Sequence, residues 1–246
     1  MCTETEWDAP QCSIESYLVT ALSPDEWRIV TFSLETALGA TVLLLVPGIA
    51  LAWLLARREF AGKTFIESLL TLPIMLPPVA TGLVLLHLVG RRGALGGWMH
   101  DATGTDIVFT WRAVVLAMAV MSLPLLTRTA RLAFEGVPAR LETVARTLGA
   151  SEWHVFRTIT LPLAARGVLA GTVLAFARAL GEFGATVMVA GILPGRTETL
   201  SLAIFQRIQL GDDPGAMRLV GVAVFLAFAA TYGAELLQHR HGPRFR

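Results

Sequence analysis

Val137-Pro138-Ala139-Arg140-Leu141-Glu142-Thr143-Val144-Ala145-Arg146-Thr147-Leu148-Gly149 runs into Ala150-Ser151-Glu152-Trp153-His154-Val155-Phe156-Arg157, and the stretch closes on Ile159-Thr160-Leu161-Pro162. Leu141, Val144, Ala145 and Leu148 recur at i, i+3, i+4 and i+7, which predicts a short amphipathic helix. Gly149 suits the left-handed position that ends such a helix. Ser151 is a fair N-cap for a second short helix, with Trp153 and Phe156 as apolar anchors. Thr160-Leu161-Pro162 is expected to break the chain after it. Two short helices at an angle make a knob, and what flanks the knob decides the fold.

On both sides the chain is strongly apolar. The 246 residues are 54% hydrophobic and 16% charged, with a mean hydropathy of +0.61. Soluble domains carry about 25% charged residues. A membrane helix needs about 20 mainly apolar residues, because a helix satisfies its own backbone groups in lipid. Five segments qualify: about 29–56, interrupted by Pro47-Gly48; about 65–89, with Pro73, Pro77 and Pro78 inside it; about 113–126, which is short and is expected to extend at one or both ends; about 163–180; and about 219–237. Three prolines make the second a kinked or broken helix within a bundle. Gly167 and Gly171 are small residues at helical spacing that let backbones approach. Gly184–Ile192 is apolar but too short to span, and suits a re-entrant or interfacial position. Trp27, Trp53, Trp98 and Trp111 suit interface anchors.

Lys and Arg in the short loops set the orientation. Arg57, Arg58 and Lys63 follow the first segment. Arg128, Arg131, Arg140, Arg146 and Arg157 follow the third, and Arg240, Arg244 and Arg246 follow the fifth. The alternate loops hold Arg91 and Arg92, then Arg196 and Arg207. This puts the N-terminus outside, the knob and C-terminus in the cytoplasm, and the chain in the cytoplasmic (inner) membrane. Residues 1–26 are acidic, with no Lys or Arg. They form an external extension and not a signal peptide. The transmembrane domain is expected over 27–238, with the knob at about 138–158, and 239–246 as a cytoplasmic tail.

Several classes lack support. A net charge of +1 offers no field for nucleic acid. Cys2 and Cys12 can pair on an oxidising face or stay free, and they form no metal motif. His239-x-His241 reads as a solvated tail, so no metal site is expected. Gly62-Lys63-Thr64 is not a phosphate-binding loop, because Arg57 stands where its first Gly belongs. An enzyme would need a nucleophile with a base, or a ligand cluster. His87, His100 and His154 are too scattered for either. A channel or secondary carrier would need no knob, and neither internal repeats nor charge-lined spans are evident.

The knob resembles the cytoplasmic coupling motif of ABC importer permeases: Glu-Ala-Ala, three residues, Gly, nine residues, Ile-x-Leu-Pro. Gly149 and Ile159-Thr160-Leu161-Pro162 keep that spacing, and Ala145 matches the second Ala. Thr143 stands where Glu is usual, Val144 stands for the first Ala, and Glu142 lies one position early. The resemblance implies an all-α polytopic permease of the type I importer fold, with five spans and a coupling-helix pair. Glu142, Thr143, Ala145, Arg146, Gly149, Ala150, Ile159, Leu161 and Pro162 would then face or shape the contact with an ATPase subunit. That partner would bind ATP and Mg, and this chain would hold no cofactor.

Along residues 24–238 the chain is similar to the molybdate permeases of this superfamily. The resembling stretches include Leu72-Pro73-Ile74-Met75-Leu76-Pro77-Pro78-Val79, Gly90-Arg91-Arg92-Gly93, Ala145-Arg146-Thr147-Leu148-Gly149-Ala150 and Phe176-Ala177-Arg178-Ala179-Leu180-Gly181-Glu182-Phe183-Gly184. Sulfate permeases share several of these features. Gly-Arg-Arg-Gly and the short length favour molybdate, with tungstate an equal fit by size. The resemblance implies a homodimer, since one chain is too small to enclose a path. It also implies two ATPase subunits and an external molybdate-binding protein. Arg178 and Glu182 lie four apart and can pair or touch substrate. Thr81 and Ser122 can offer hydroxyls to an oxyanion or bond their own helices. Pro77 and Pro78 can narrow a gate.

Overall fold

A computed structural model describes residues 22–239, and among them every regular element is helical. Cys2, Cys12, most of the acidic extension, and the tail from residue 240, with its His241, lie outside the described residues. The helices are α1 (Pro24–Arg57), α2 (Lys63–Met75), α3 (Pro78–Val89), α4 (Ala94–Thr103), α5 (Trp111–Glu135) and α6 (Ala139–Thr147). They continue with α7 (Glu152–Val155), α8 (Leu161–Leu180), α9 (Gly184–Ala190), α10 (Leu200–Gln209) and α11 (Asp213–His239). A π-helical turn, Phe156–Thr160, joins α7 to α8.

Four helical stretches are long and apolar enough to cross a membrane: Pro24–Arg57, Trp111–Glu135, Glu152–Leu180 and Asp213–Leu236. Together, α2 and α3 qualify as a fifth, bent by 114° at their junction. The break has a local cause. Pro77 and Pro78 supply no N–H, and Leu76 and Pro77 adopt extended backbone before α3 starts. Pro cannot continue a ladder, and the residue before it avoids the helical region.

Two sequence expectations about helix limits are corrected and one is borne out. Pro47-Gly48 does not interrupt α1, which runs through both residues. The short third segment extends at both ends, as expected, and does not end near Leu126. α5 continues to Glu135 because Arg128 and Arg131 find partners on α2, and the first breaker is Gly136. Nor does Thr160-Leu161-Pro162 break the chain. The Leu161 N–H donates to the Phe156 carbonyl, five residues back, and Glu152–Leu180 runs as one helix. The wider turn lets Pro162 sit in the helix without the clash an α-turn would impose. The second knob helix is therefore the first turn of a span.

α1, α5 and α8 form the centre, with α9 and the end of α3 against α5. Their contact faces are built from small residues: Ala37 and Ala40 on α1, Ala113 and Ala117 on α5, Ala175 and Ala179 on α8, all fully buried. With lipid as solvent, close approach through small side chains replaces the hydrophobic drive as the source of cohesion. Gly167 takes part, since a Cβ there would lie 2.5 Å from that of Ala133. α11 packs on α8 and α10, and leaves Val224, Phe225, Phe228 and Tyr232 exposed as a face suited to lipid.

α1 starts at Pro24, three residues before the expected domain limit. Ser23 is the N-cap: its Oγ accepts from the Glu26 N–H, and its own N–H donates to Glu26 Oε2 at 2.8 Å. Glu26 is wholly buried, and its Oε1 takes Arg207 Nη1 at 2.7 Å and Arg218 Nη2 at 2.9 Å. This three-way ion pair ties the first turn of α1 to α10 and α11.

Candidate functional site

The knob departs from the body at Gly136 and returns through the π turn. At Gly149 the backbone has φ +88°, and nothing lies within 4 Å of where its Cβ would be. Backbone handedness alone therefore calls for glycine here. The Ala150 N–H donates to Ala145 O and the Gly149 N–H to Arg146 O, the paired bonds of a Schellman ending. Ser151 Oγ then accepts from the His154 N–H. Arg146 grips Glu152 with two donors, at 2.8 and 3.3 Å, across the corner between the halves.

Glu142 turns inward. Its side chain is only 3% exposed, 2.8 Å from Arg57 Nη2, and it accepts from Thr160 Oγ1 at 2.7 Å. Arg57 also donates to the Val137 carbonyl. One carboxylate thus joins α6, the end of α1 and the π turn. Glu142 lies one position before the motif's usual Glu. In the structure its charge is spent within the chain. Thr143 is exposed and its hydroxyl donates to the Ala139 carbonyl.

Phe156 is the apolar counterpart of that junction. Trp53 of α1 meets it edge-on with centroids 5.3 Å apart, Phe134 of α5 lies at 6.1 Å, and Trp153 stacks on it at 5.5 Å. Trp53 is therefore an internal contact and not a free interface anchor. Trp27, Trp98 and Trp111 are exposed, as anchors should be. Ile159 and Leu161 are half-buried on the inner side, and Pro162 is exposed. Leu141, Val144, Leu148 and Trp153 form an apolar ridge left exposed among the described residues, and Leu148 is 83% exposed.

Of the other candidates, Pro77, Pro78 and Thr81 lie at or in the start of α3 and Arg178 and Glu182 lie just before α9, where α3 meets α9, while Ser122 lies on α5. A Cβ at Gly184 would lie 2.6 Å from that of Pro78, and one at Gly82 would lie 2.8 Å from Ala185 Cα. The two glycines let α3 and α9 touch along their backbones. Pro78 therefore lies against Gly184, at the start of α9. Arg178 Nη2 is 2.8 Å from Glu182 Oε2, and Glu182 Oε1 accepts from the Ala185 N–H. The pair anchors the entry to α9. Thr81 and Ser122 are buried, and their hydroxyl oxygens have no hydrogen-bond partner among the described residues. Thr186 shares that state and was not singled out from sequence. Leaving a buried hydroxyl without a partner costs about 1–3 kcal/mol, and Thr199 is in the same state.

Sequence reasoning missed Arg57 and Glu26 as buried partners. A signal existed for Glu26, because Ser23-x-x-Glu26 is the spacing of a capping box. None existed for Arg57, whose partner lies 85 positions away along the chain.

Residues 48–246 match the family described as binding-protein-dependent transport system inner membrane component. The chain is 48% identical over 217 residues to the molybdenum transport system permease protein ModB of Escherichia coli (strain K12), covering 88% of this chain and 95% of the relative. It is 33% identical to the sulfate transport system permease protein CysT of the same organism, covering 95% of this chain and 84% of that protein. Among solved structures, a bacterial ABC transporter involved in importing alginate superposes with a TM-score of 0.68 at 13% identity, over 94% of this chain and 86% of that one.

Proposed function

We propose that this chain, which belongs to the family of binding-protein-dependent transport system inner membrane components, carries molybdate inward as the permease subunit of an ATP-driven ABC importer. One observation carries the substrate: 48% identity to a molybdenum permease across nearly the whole of both chains. Tungstate, a tetrahedral dianion of nearly equal size, travels the same way. The second reading, sulfate, is favoured by the 33% identity to a sulfate permease.

Two copies form the path, two cytoplasmic subunits bind and hydrolyse ATP with Mg, and an external binding protein delivers the anion. The N-terminus faces outward and the C-terminus faces the cytoplasm, which puts the knob on the motor side. Support for the coupling role comes from the uncovered ridge of Leu141, Val144, Leu148 and Trp153. An apolar ridge of this kind seats in a groove of a partner. Thr143, Ala145, Arg146, Gly149 and Ala150 shape that contact. Glu142, Ile159, Leu161 and Pro162 connect it to the spans. When the motor closes, force on the ridge passes through Glu142 to Arg57 and through Phe156 to Trp53 and Phe134. Pro77 and Pro78 form the gate region. Thr81 and Ser122 line the path, and Arg178 with Glu182 steadies it.

The test is ATPase activity in proteoliposomes holding the permease with its ATPase. The binding protein is supplied loaded with molybdate, tungstate or sulfate. Stimulation by the first two alone is the expected result. Stimulation by sulfate alone moves the substrate to sulfate. A stable complex that responds to none of them rules out both anions.

A further inference from the structure

Between α2 and α5 lies a cavity of about 430 Å³, lined among others by Thr64, Glu67, Ser68, Thr71, Arg128 and Arg131. Its chemistry is uneven. Arg131 is neutralised twice, by Glu67 at 2.6 Å and by Glu135 at 2.7 Å. Arg128, one turn away on α5 and exposed, forms no ion pair among the described residues: its Nη2 donates to Thr71 Oγ1 at 2.9 Å. A cation on a spanning helix with no anion beside it is a functional group by default. Thr71 and Ser68 donate to carbonyls of their own helix, Glu67 O and Thr64 O. Rotation of either hydroxyl frees its proton and leaves the backbone ladder intact. Glu67, the one carboxylate lining the cavity, is occupied by Arg131 and leaves Arg128 unopposed.

Resting on the transport reading above, we infer that this cavity is a holding station for a tetrahedral dianion, gripped by Arg128 with the hydroxyls of Thr71 and Ser68. A dianion such as molybdate offers only acceptor oxygens; the Arg128 guanidinium offers donors to it, and each hydroxyl can offer one once it rotates off its own carbonyl. Charge-assisted bonds from a guanidinium are the strong ones. Arg128 stands seven residues before the Glu135 end of α5, the end that leads into the knob. The station therefore lies at the motor-side mouth, the last stop before release. A single unneutralised cation suits that place, because a conducting site must hold its ion weakly enough to let it leave. A denser ring of cations would trap a dianion.

A thiol at Thr64, a lining residue outside the holding set, reports occupancy. Thr64→Cys is placed in a chain carrying Cys2→Ser and Cys12→Ser, assembled with its ATPase in nanodiscs without binding protein. Alkylation by a neutral maleimide is timed in molybdate, tungstate, sulfate and chloride at equal ionic strength. The dianions should slow the reaction, and chloride should not. Loss of a charged hydrogen bond weakens binding about tenfold or more. The half-protecting concentration should therefore rise by at least that factor in Arg128→Gln and by less in Arg128→Lys. Thr71→Val, which keeps the charge, guards against misfolding of the Arg128 variants and should also weaken protection. Protection undiminished in both Arg128→Gln and Thr71→Val overturns the station. So does absence of protection in a complex whose ATPase responds to molybdate-loaded binding protein, and that result leaves the transport reading standing. Protection in a complex that ignores the loaded protein overturns the molybdate reading and keeps the site as a dianion site.

Discussion

Glu142→Gln keeps the shape of the side chain and strands Arg57 in a poorly hydrated corner. Removing one partner of a buried pair destabilises by about 3–5 kcal/mol, while replacing both by apolar groups is far milder. Glu142→Leu with Arg57→Leu should therefore melt higher in detergent than Glu142→Gln alone. If the single variant melts like the parent, the pair does not hold the knob. Gly149 separates strain from contact. A side chain in the left-handed conformation adds about 1–2 kcal/mol and meets no neighbour. Gly149→Ala should insert normally and keep reduced uptake. Gly149→Asp should insert normally and lose uptake, because under the proposed coupling its carboxylate would be pressed against the ATPase subunit. Normal uptake by Gly149→Asp would remove the coupling role.

At the scale of elements, the turn between α9 and α10 holds a titratable group outside the spans. Burial pushes the Glu198 carboxyl above its ordinary value of 4.5, and Asp25 adds to the rise. A bond from the Gly195 backbone and the charge of Arg207 oppose it. The folded value thus exceeds the unfolded one. The protonated form is the one that folding favours, so the stability it brings is complete below the unfolded value and is lost as pH rises through the folded one. Glu198→Gln should raise the melting temperature at neutral pH, with the gain shrinking as pH falls toward 4.5. A gain that stays flat with pH would exclude burial as its cause. The apolar spans, the broken second one and the knob were legible from hydropathy and proline placement, and so was the left-handed turn at Gly149, while the short helices α4 and α10 were not. The limits of the spans were less legible. Arg128 and Arg131 lower local hydropathy and read as loop, yet their partners Thr71 and Glu67 lie 57 and 64 positions away. Pro162 read as a break because a local pattern carries no sign of a π turn.

Over the whole molecule, α1 is held at both ends by a buried carboxylate pair: Glu26 with two arginines at its start, Arg57 with Glu142 at its finish. Its 34 residues span about 51 Å at 1.5 Å per residue, against a hydrocarbon core of about 30 Å. A strut of that length, fixed to α10 and α11 at one end and to the knob at the other, moves as one piece. Topology then turns on the bent α2–α3 pair. Counted as a crossing, it makes five and puts the termini on opposite sides; as a re-entrant loop, it leaves four and puts them together. A reporter fused after Arg246 should read as cytoplasmic while a tag ahead of α1 reads as external. Both on one side would mean that the pair turns back within the bilayer.

The π turn between Phe156 and Thr160 has a consequence of phase. Each residue of a helix advances it by about 100°, and a π turn holds one residue more than its α equivalent. Deleting one residue there would let the helix close as plain α and swing Trp153 about a quarter-turn around the axis of α8. Every span would keep its length and hydropathy, and the ridge would face the wrong way. In this molecule the knob and its span mesh like toothed wheels, and a single dropped tooth disengages them without breaking either.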